Sequence, residues 1–489
     1  MKYTILDCYT DEASGLGVPP YLGTYPRYIF GVLKSKGITP EYITIDDLRL
    51  NLIYHDTIKE VTPKDKTNIR IYNLTNKKIA QILLDTNVLI VNLGVHVPGK
   101  YLSAIPGTLR EITPLLQKLN CKKILTGPAI FGTQLEGGKH SEQNELGIFD
   151  EIKQYGSEFG NFSKLQKYAL LGCEIIKQIP DHRIIEIETG RGCNVGKCSF
   201  CTEPIKNLFL LRNTNDIVDE IKEYYKLGCR YFRLGKQADF YSIMDPVRLL
   251  RKIRQECPDI KVLHIDNVNP VFVVADKKHE ITKAIIKYCS SGNVAAFGIE
   301  SFDPVVVKEN TLNCPPKIAH KAIEIINQYG SVRGDNGLPK FLPGINIIYG
   351  LGHESKKTHE YNITALKEIY NNGHMLRRIN IRQTAILPDT IMEKKFGSKF
   401  LRKNKKYYWK WRNDIRQNID FPMLQRLMPI NTVLKDVFTE IYDGKTTFGR
   451  QIGTYPLIVG IKERLPLRQF VDVKVTAHML RSVTGEVVD

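Results

Sequence analysis

A chain of 489 residues exceeds what one hydrophobic core usually organises, so two or three domains are expected. A hydrophobic content of 42% beside 25% charged residues excludes wholesale disorder, and no apolar run approaches the ~18–20 residues of a membrane span. The net charge of +18 draws polyanions and makes nucleic acid the first partner to consider, beside the plainer reading of solvated basic faces.

The first residues run directly into an apolar strand at 3–6 and lack the zones of a secretory signal, so the cytoplasm is the expected compartment. A helical pattern at 25–36, a strand at 42–45, a helix at 76–84, a buried strand at 88–93, a helix at 109–119 and a strand at 123–126 follow. Together they predict a doubly wound, Rossmann-like α/β domain over 1–160. Ligands of such sheets sit beyond the carboxyl ends of the strands, which here lead into glycine-rich stretches at 8–17, 94–100 and 127–138.

Alternation restarts at 183. Strands at 184–188, 231–234, 262–265, 295–299, 344–349 and 378–384 are separated by helices at 217–227, 247–255, 280–288, 318–329 and 361–372. Six such units predict a partial (β/α)6 barrel over 161–398, with its site at the carboxyl ends of the strands. The run at 271–275 is read as another apolar segment of strand length. Residues 399–432 read as a basic, aromatic helical connector, and strands at 433–442, 447–449, 457–459, 470–475 and 481–487 predict a small β-barrel-like domain over 433–489.

The ten cysteines are scattered singly except for Cys193, Cys198 and Cys201, on a glycine-rich loop that leaves the strand at 184–188. In a reducing compartment such a cluster argues for metal over disulfides. Soft thiolates select iron–sulfur, zinc or copper. Zinc closes a shell of four ligands, and no fourth Cys or paired His stands at the usual spacing, so it is the lesser alternative. Three ligands on a four-iron cluster leave one iron open to chelate a substrate.

At these residues, with Phe200 before the last Cys, the chain resembles the radical S-adenosylmethionine superfamily, although the first gap of the motif is longer than usual. The resemblance implies a [4Fe-4S] cluster on the three cysteines. It also implies an external low-potential electron donor, homolytic cleavage of S-adenosylmethionine, and hydrogen abstraction by the resulting 5′-deoxyadenosyl radical. It further assigns cofactor contacts to Phe200, to Gly235 and Gln237 after the second barrel strand, and to Asp266, Asn267, Glu300 and Ser301 after later ones. The turn at 350–355 is similar to a later family station. The plainer alternative for these groups is turn chemistry and helix capping; His264 and His353 read as structural histidines.

The segment Asp7 to Glu12 and the Pro19–Gly23 run resemble the cobalamin-binding-like domain that precedes many radical enzymes, which makes cobalamin a possible second cofactor. The Asp-x-His-x-x-Gly loop for a His ligand is absent after the first strand, and 94–99, containing His96, mimics it only loosely. Cys8 stands at a plausible strand end for a second cluster of the tRNA methylthiotransferase kind, but Cys121 just precedes a strand and Cys173 lies in the boundary region, so a complete second cluster is not expected; Cys121, Cys173, Cys229, Cys257, Cys289 and Cys314 read as buried structural thiols.

Residues 448–451, 470–476 and 480–487 resemble the RNA-binding barrel called TRAM, and 424–431 loosely resembles a helix-hairpin-helix turn without its glycines. The module order is similar to archaeal-type radical enzymes with a C-terminal helix-hairpin-helix region. Basic side chains bind phosphates and aromatics stack on unpaired bases. Arg402, Lys403, Lys405, Lys406, Tyr407, Trp409, Lys410, Arg412, Arg450, Lys474 and Arg481 therefore form the candidate surface for RNA, tRNA first. The leading expectation is a radical enzyme that methylates or otherwise functionalises RNA. The alternatives are a radical enzyme acting on a small molecule or protein side chain, with cobalamin as methyl carrier, and a non-catalytic, metal-stabilised RNA-binding protein.

Overall fold

The structure, a computed structural model, describes residues 1–9, 21–54, 60–61, 71–72, 77–94, 106–131, 138, 146–153, 160–180 and 183–488. The chain forms two compact units: Met1–Glu136, Glu142–Ile187 and Asn215–Phe232 make the first, and Gly137–Ser141, Glu188–Thr214 and Arg233–Asp489 the second. The first unit therefore continues past residue 160, taking in the helix Phe162–Gly172 and nearly all of the helix Thr214–Lys226.

In the first unit, β1 (Tyr3–Asp7), β2 (Glu41–Thr44), β3 (Val88–Asn92), β4 (Lys122–Thr126) and β5 (Glu151–Ile152) form a parallel sheet ordered β2-β1-β3-β4-β5. Strand β3 is buried along its whole length, which is why it reads as an unbroken apolar run and not as an alternation. The strand order reverses between β1 and β3, the position where open α/β sheets receive ligands.

The helix Thr24–Ser35 crosses Phe162–Gly172 at backbone distance: a Cβ on Gly31 would lie 1.9 Å from Tyr168 O, and one on Gly172 2.3 Å from Arg27 O. Arg27 is fully buried and ion-paired with Glu220. It also donates to the carbonyls of Gly23, at 2.8 Å, and Glu186.

Strands β6 (Ile184–Glu188) and β7 (Tyr231–Gly235) begin in the first unit and end in the second; β8 (Val262–Ile265), β9 (Asn293–Glu300), β10 (Phe341–Tyr349) and β11 (Arg378–Gln383) belong to the second. Strands β8, β7 and β6 adjoin in one sheet, while β9, β10 and β11 run parallel in another, led by the two-residue strand Asn267–Val268. This is the expected partial parallel barrel. The apolar run at 271–275, too short to span a membrane, lies in the helix Pro270–Ala275. Asn269 Oδ1 accepts from Val271 N–H at 3.0 Å and Pro270 occupies the first helical position, so capping overrides the apolar, β-branched composition.

Strand β11 lies at the edge of its sheet, and the connector seals it. Tyr408 Oη donates to Ile381 O at 3.3 Å and Arg416 Nη1 to Ile379 O at 2.7 Å, satisfying carbonyls that would otherwise face a vacant ladder. The connector's Leu401, Tyr408, Trp411, Ile415 and Ile419 are buried, so it is a packed element with one basic face. The helix Phe421–Leu427 continues from the π-turn Arg416–Asp420, and the next element is a strand, so no helical hairpin forms at 424–431.

Strands β12 (Val433–Asp443), β13 (Thr446–Gln451), β14 (Ile458–Ile461), β15 (Phe470–His478) and β16 (Ser482–Val488) close a barrel, as their alternation predicts. Its core, with Leu434, Val437, Val459, Val473, Val475 and Val483, merges with Leu338, Leu342, Leu424 and Met428. Between β13 and β14, Thr454 N–H meets His264 Nδ1 at 3.2 Å, Tyr455 Oη donates to Asp266 Oδ1 at 3.2 Å, and Tyr455 O accepts from Arg377 Nη2 at 2.6 Å. Among the described residues, no helix is long and apolar enough to cross a membrane.

The helix crossing at Gly31 gives a direct test. Gly31→Val is expected to cost about 3 kcal/mol or more, because the obstacle is backbone and not a movable side chain. Thermal unfolding of the purified variant should show the loss; an unchanged midpoint would refute the close crossing.

Candidate cluster and cofactor site

The loop that leaves β6 is fixed at both ends before it reaches the cysteines. Burial raises the Glu188 pKa, but the adjacent Arg191 outweighs it and holds the carboxyl below its ordinary range. Arg191 Nε and Nη2 reach the two Glu188 oxygens at 2.7 and 2.9 Å. Thr189 N–H donates to Gly235 O at the end of β7, 3.1 Å away. Gly192 then turns the chain at φ +77°, where a Cβ would stand 2.4 Å from Leu208 O, so a side chain there meets both strain and backbone.

Each of the three sulfurs is met by a backbone amide. Gly196 N–H donates to Cys193 Sγ and Glu203 N–H to Cys201 Sγ, both at 3.4 Å, and the backbone of Asn313 hydrogen-bonds Cys198. Burial first, then neighbouring acids and thiols, push the Cys198 pKa to about 11 and that of Cys201 to about 12. These thiols ionise only when a cation takes the proton's place, so metal loading must release protons. Among the described residues, no three Cys, His, Asp or Glu side chains could hold a single metal ion. A cubane takes its ligands at separate corners, and three soft donors already supplied with N–H groups suit it.

The loop is clamped from outside by Asn310, which the sequence reading passed over. Its Oδ1 accepts from Ser199 Oγ at 2.8 Å and from Gly352 N–H at 3.0 Å, its Nδ2 donates to Gly352 O at 2.8 Å, and its own carbonyl accepts from Ser199 N–H. Phe200 packs between two apolar groups, one of Val306, Val307, Leu312 and Leu351 and one of Ile386, Met392 and Leu401.

The other cofactor candidates separate into two sets. Gln237 is buried, accepts from Thr189 Oγ1 at 3.0 Å, and offers its carbonyl to Asn267 Nδ2 at 3.2 Å, so Gly235, Gln237 and Asn267 come together at adjoining strand ends. Asp266 is engaged by Arg233 and Tyr455, and Ser301 Oγ accepts from Asp303 N–H at 3.1 Å; both are held by protein. His264 is buried against Thr454, and desolvation lowers its pKa to about 4, so it is a neutral structural residue as expected.

Glu300 stands apart. It follows a register shift at the end of β9, takes φ +66°, is buried, and has no hydrogen-bond partner for Oε2 among the described residues. Burial raises its pKa to about 8 against the pull of Arg382. Asp239 Oδ2 is likewise buried without a partner among the described residues.

The first unit has its own polar edge at the carboxyl ends of β1, β3 and β4. Asp7 accepts from Tyr42 Oη at 2.7 Å, Tyr9 N–H at 2.9 Å and Asn92 Nδ2 at 3.2 Å. Asn92 Oδ1 and Thr126 Oγ1 are buried and without hydrogen-bond partners among the described residues, at the sheet's switch point and beside it. Such a row of amide, hydroxyl and carboxylate fits a polar cofactor edge. The stretches at 10–20 and 95–105, with His96, lie outside the described residues. Cys173, Cys257 and Cys314 are buried as expected, whereas Cys121, Cys229 and Cys289 are only partly so.

Of the candidate RNA-facing residues, Arg402, Lys403, Lys405, Lys406, Trp409, Lys410 and Arg481 are exposed, and Tyr407 and Arg412 half-buried. Arg450 does not belong with them: it is buried in the barrel wall and neutralised by Glu440 at 2.7 Å. Lys474 pairs with Glu486 at 2.6 Å.

No protein-family model matches the sequence. The chain is 39% identical to an uncharacterized protein of Methanocaldococcus jannaschii over 99% of its own length and 93% of that protein. A protein of Archaeoglobus fulgidus, also uncharacterized, is 38% identical over 99% of this chain and 90% of its own. The chain belongs to this archaeal family. Among solved structures, the radical S-adenosylmethionine methyltransferase TsrM of Kitasatospora setae, with cobalamin and a [4Fe-4S] cluster bound, matches 80% of this chain and 74% of its own with a TM-score of 0.50 at 13% identity. The chain thus shares the overall fold of that enzyme across most of its length.

Two outcomes follow. Asn310→Ala is expected to cost about 1–3 kcal/mol, because it strands buried partners, and to lower the iron retained after desalting; full retention would sink the clamp. Burial also raises Glu354 to about 8, so the fold holds a proton there that the unfolded chain, near 4.5, has released. This stabilisation is complete below pH 4.5 and vanishes as pH rises through 8. Glu354→Gln should accordingly gain on the wild type in melting temperature between pH 5 and pH 8; a gap that stays unchanged over that range would mean the carboxyl is already ionised in the fold.

Proposed function

We propose that this protein is a radical S-adenosylmethionine enzyme that uses a corrinoid as methyl carrier. The observation that carries the reading is the tripod of Cys193, Cys198 and Cys201, each sulfur met by a backbone amide, on the Gly192-hinged loop after β6. The relative solved with both cofactors, TsrM, supports it by fold.

When bound, the cluster supplies the electron that breaks a carbon–sulfur bond of the sulfonium. The chain's own contributions are positional. Cys193, Cys198 and Cys201 would hold the cluster, which would supply an open iron for the cosubstrate. Phe200 and its apolar neighbours keep water from that corner. Gln237, with Thr189 and Asn267, orients polar groups of the cosubstrate at the ends of β7 and β8. Glu300, held protonated by burial at neutral pH, donates a hydrogen bond to an acceptor there. In the first unit, Asp7, Asn92 and Thr126 hold the polar periphery of the corrinoid. This assignment favours the reading with cobalamin over a radical enzyme defined by RNA alone.

The test is anaerobic reconstitution of the full chain. It should take up about four irons and retain cobalamin after gel filtration. Cys193→Ala, Cys198→Ala and Cys201→Ala should each abolish the cluster's visible absorption and keep cobalamin, whereas Asn92→Leu should lose cobalamin and keep iron. Iron uptake that survives all three cysteine substitutions would refute the assignment.

A further inference from the structure

The open side of the half-barrel is lined with guanidinium groups. Arg378 and Arg382 occupy the same face of β11 as Asn380, four residues and about 13 Å apart along the strand. Arg378 lies over the Tyr455 ring at 4.5 Å, and Arg382 donates to Asn380 Oδ1 through Nε at 2.7 Å and Nη2 at 3.0 Å, with the amide set to satisfy its neighbours. Arg416, bound to the carbonyl of Ile379, stands at the edge of the same strand. Arg412 lies over the Trp409 ring at 5.3 Å. Arg481, from the turn before β16, is close enough for the charges of Arg416, Arg378 and Arg412 to act on it.

Among the described residues, Asp420, bound to Arg416, and Glu300, within the charge range of Arg382, face this group. Ile348 pairs with Arg382 in β10, and Ile347 next to it pairs with Glu300 in β9, so Arg382 and Glu300 are two strands apart, about 10 Å. Glu300 in turn acts on Cys198. The arginines therefore lead from the connector to the candidate cluster. Partial burial and the neighbouring Arg382 and Arg416 hold Arg378 below the ordinary arginine pKa. Gathering like charges is costly until an anion joins them, and guanidinium forks match phosphate oxygens two at a time.

Resting on the radical-enzyme reading, we infer that its substrate carries phosphate, received by Arg378, Arg382, Arg412 and Arg481, with Arg416 held against the strand edge behind them. Free pyrophosphate-like groups and RNA phosphodiesters share this chemistry.

The experiment measures binding of inorganic pyrophosphate and of a short single-stranded RNA to the full chain, at low and moderate salt. At least one should bind, more weakly as salt rises. The double variant Arg378→Gln/Arg481→Gln should weaken it about 30-fold, whereas Lys403→Gln/Lys410→Gln on the exposed connector face should not. Pyrophosphate binding without RNA binding identifies a small phosphorylated substrate, and the converse identifies RNA. If the arginine variant misfolds, phenylglyoxal labelling of wild-type Arg481 is read by mass spectrometry instead, and the bound anion should suppress it. Absence of binding by both probes, equal binding by the arginine variant, or undiminished labelling overturns the inference. Iron uptake is measured on the same samples, so anion binding by a chain that takes no cluster would refute the enzyme reading and leave the phosphate site standing.

Discussion

A thiol buried without a cation keeps its proton, and the candidate site depends on that constraint. Cys198 and Cys201 sit where burial favours the neutral sulfur, while the amides of Asn313 and Glu203 favour the anion. The balance tips only when iron arrives. Gly192, the Glu188–Arg191 pair and the Asn310 clamp set the loop beforehand, so assembly does not have to order it.

The two units are each built so that strand carboxyl ends carry the chemistry. In the first, apolar residues bury the middle of the strands, and each of β1, β3 and β4 ends in a buried polar residue: Asp7, Asn92 and Thr126. In the second, β9 shifts register immediately before Glu300, which turns a strand-end carboxylate into a buried, strained one. Closing the sheet edge with Tyr408 and Arg416 lets an open half-barrel persist beside solvent without offering a free ladder.

The strands, the three cysteines and the closing β-barrel were legible because each rests on local pattern: an apolar run, a thiol spacing, an alternation. What escaped depends on residues distant in sequence. Asn310 is unremarkable until Ser199 and Gly352 are seen beside it, and Arg378 and Arg481 become neighbours only through the barrel. Asp266 looked like a cofactor contact, but Arg233 and Tyr455 hold it, and no spacing rule could have paired them. Arg450 counted as a basic surface residue until its register placed it against Glu440.

Tyr455 gives the C-terminal barrel a role that its appended position conceals. Its hydroxyl reaches Asp266, its carbonyl takes Arg377, and its ring lies under Arg378, while Thr454 meets His264. A recognition module joined by a tether could be exchanged or trimmed during evolution with little consequence. This one is wired into the floor of the chamber beside it, so its loss would leave buried charges stranded in the half-barrel.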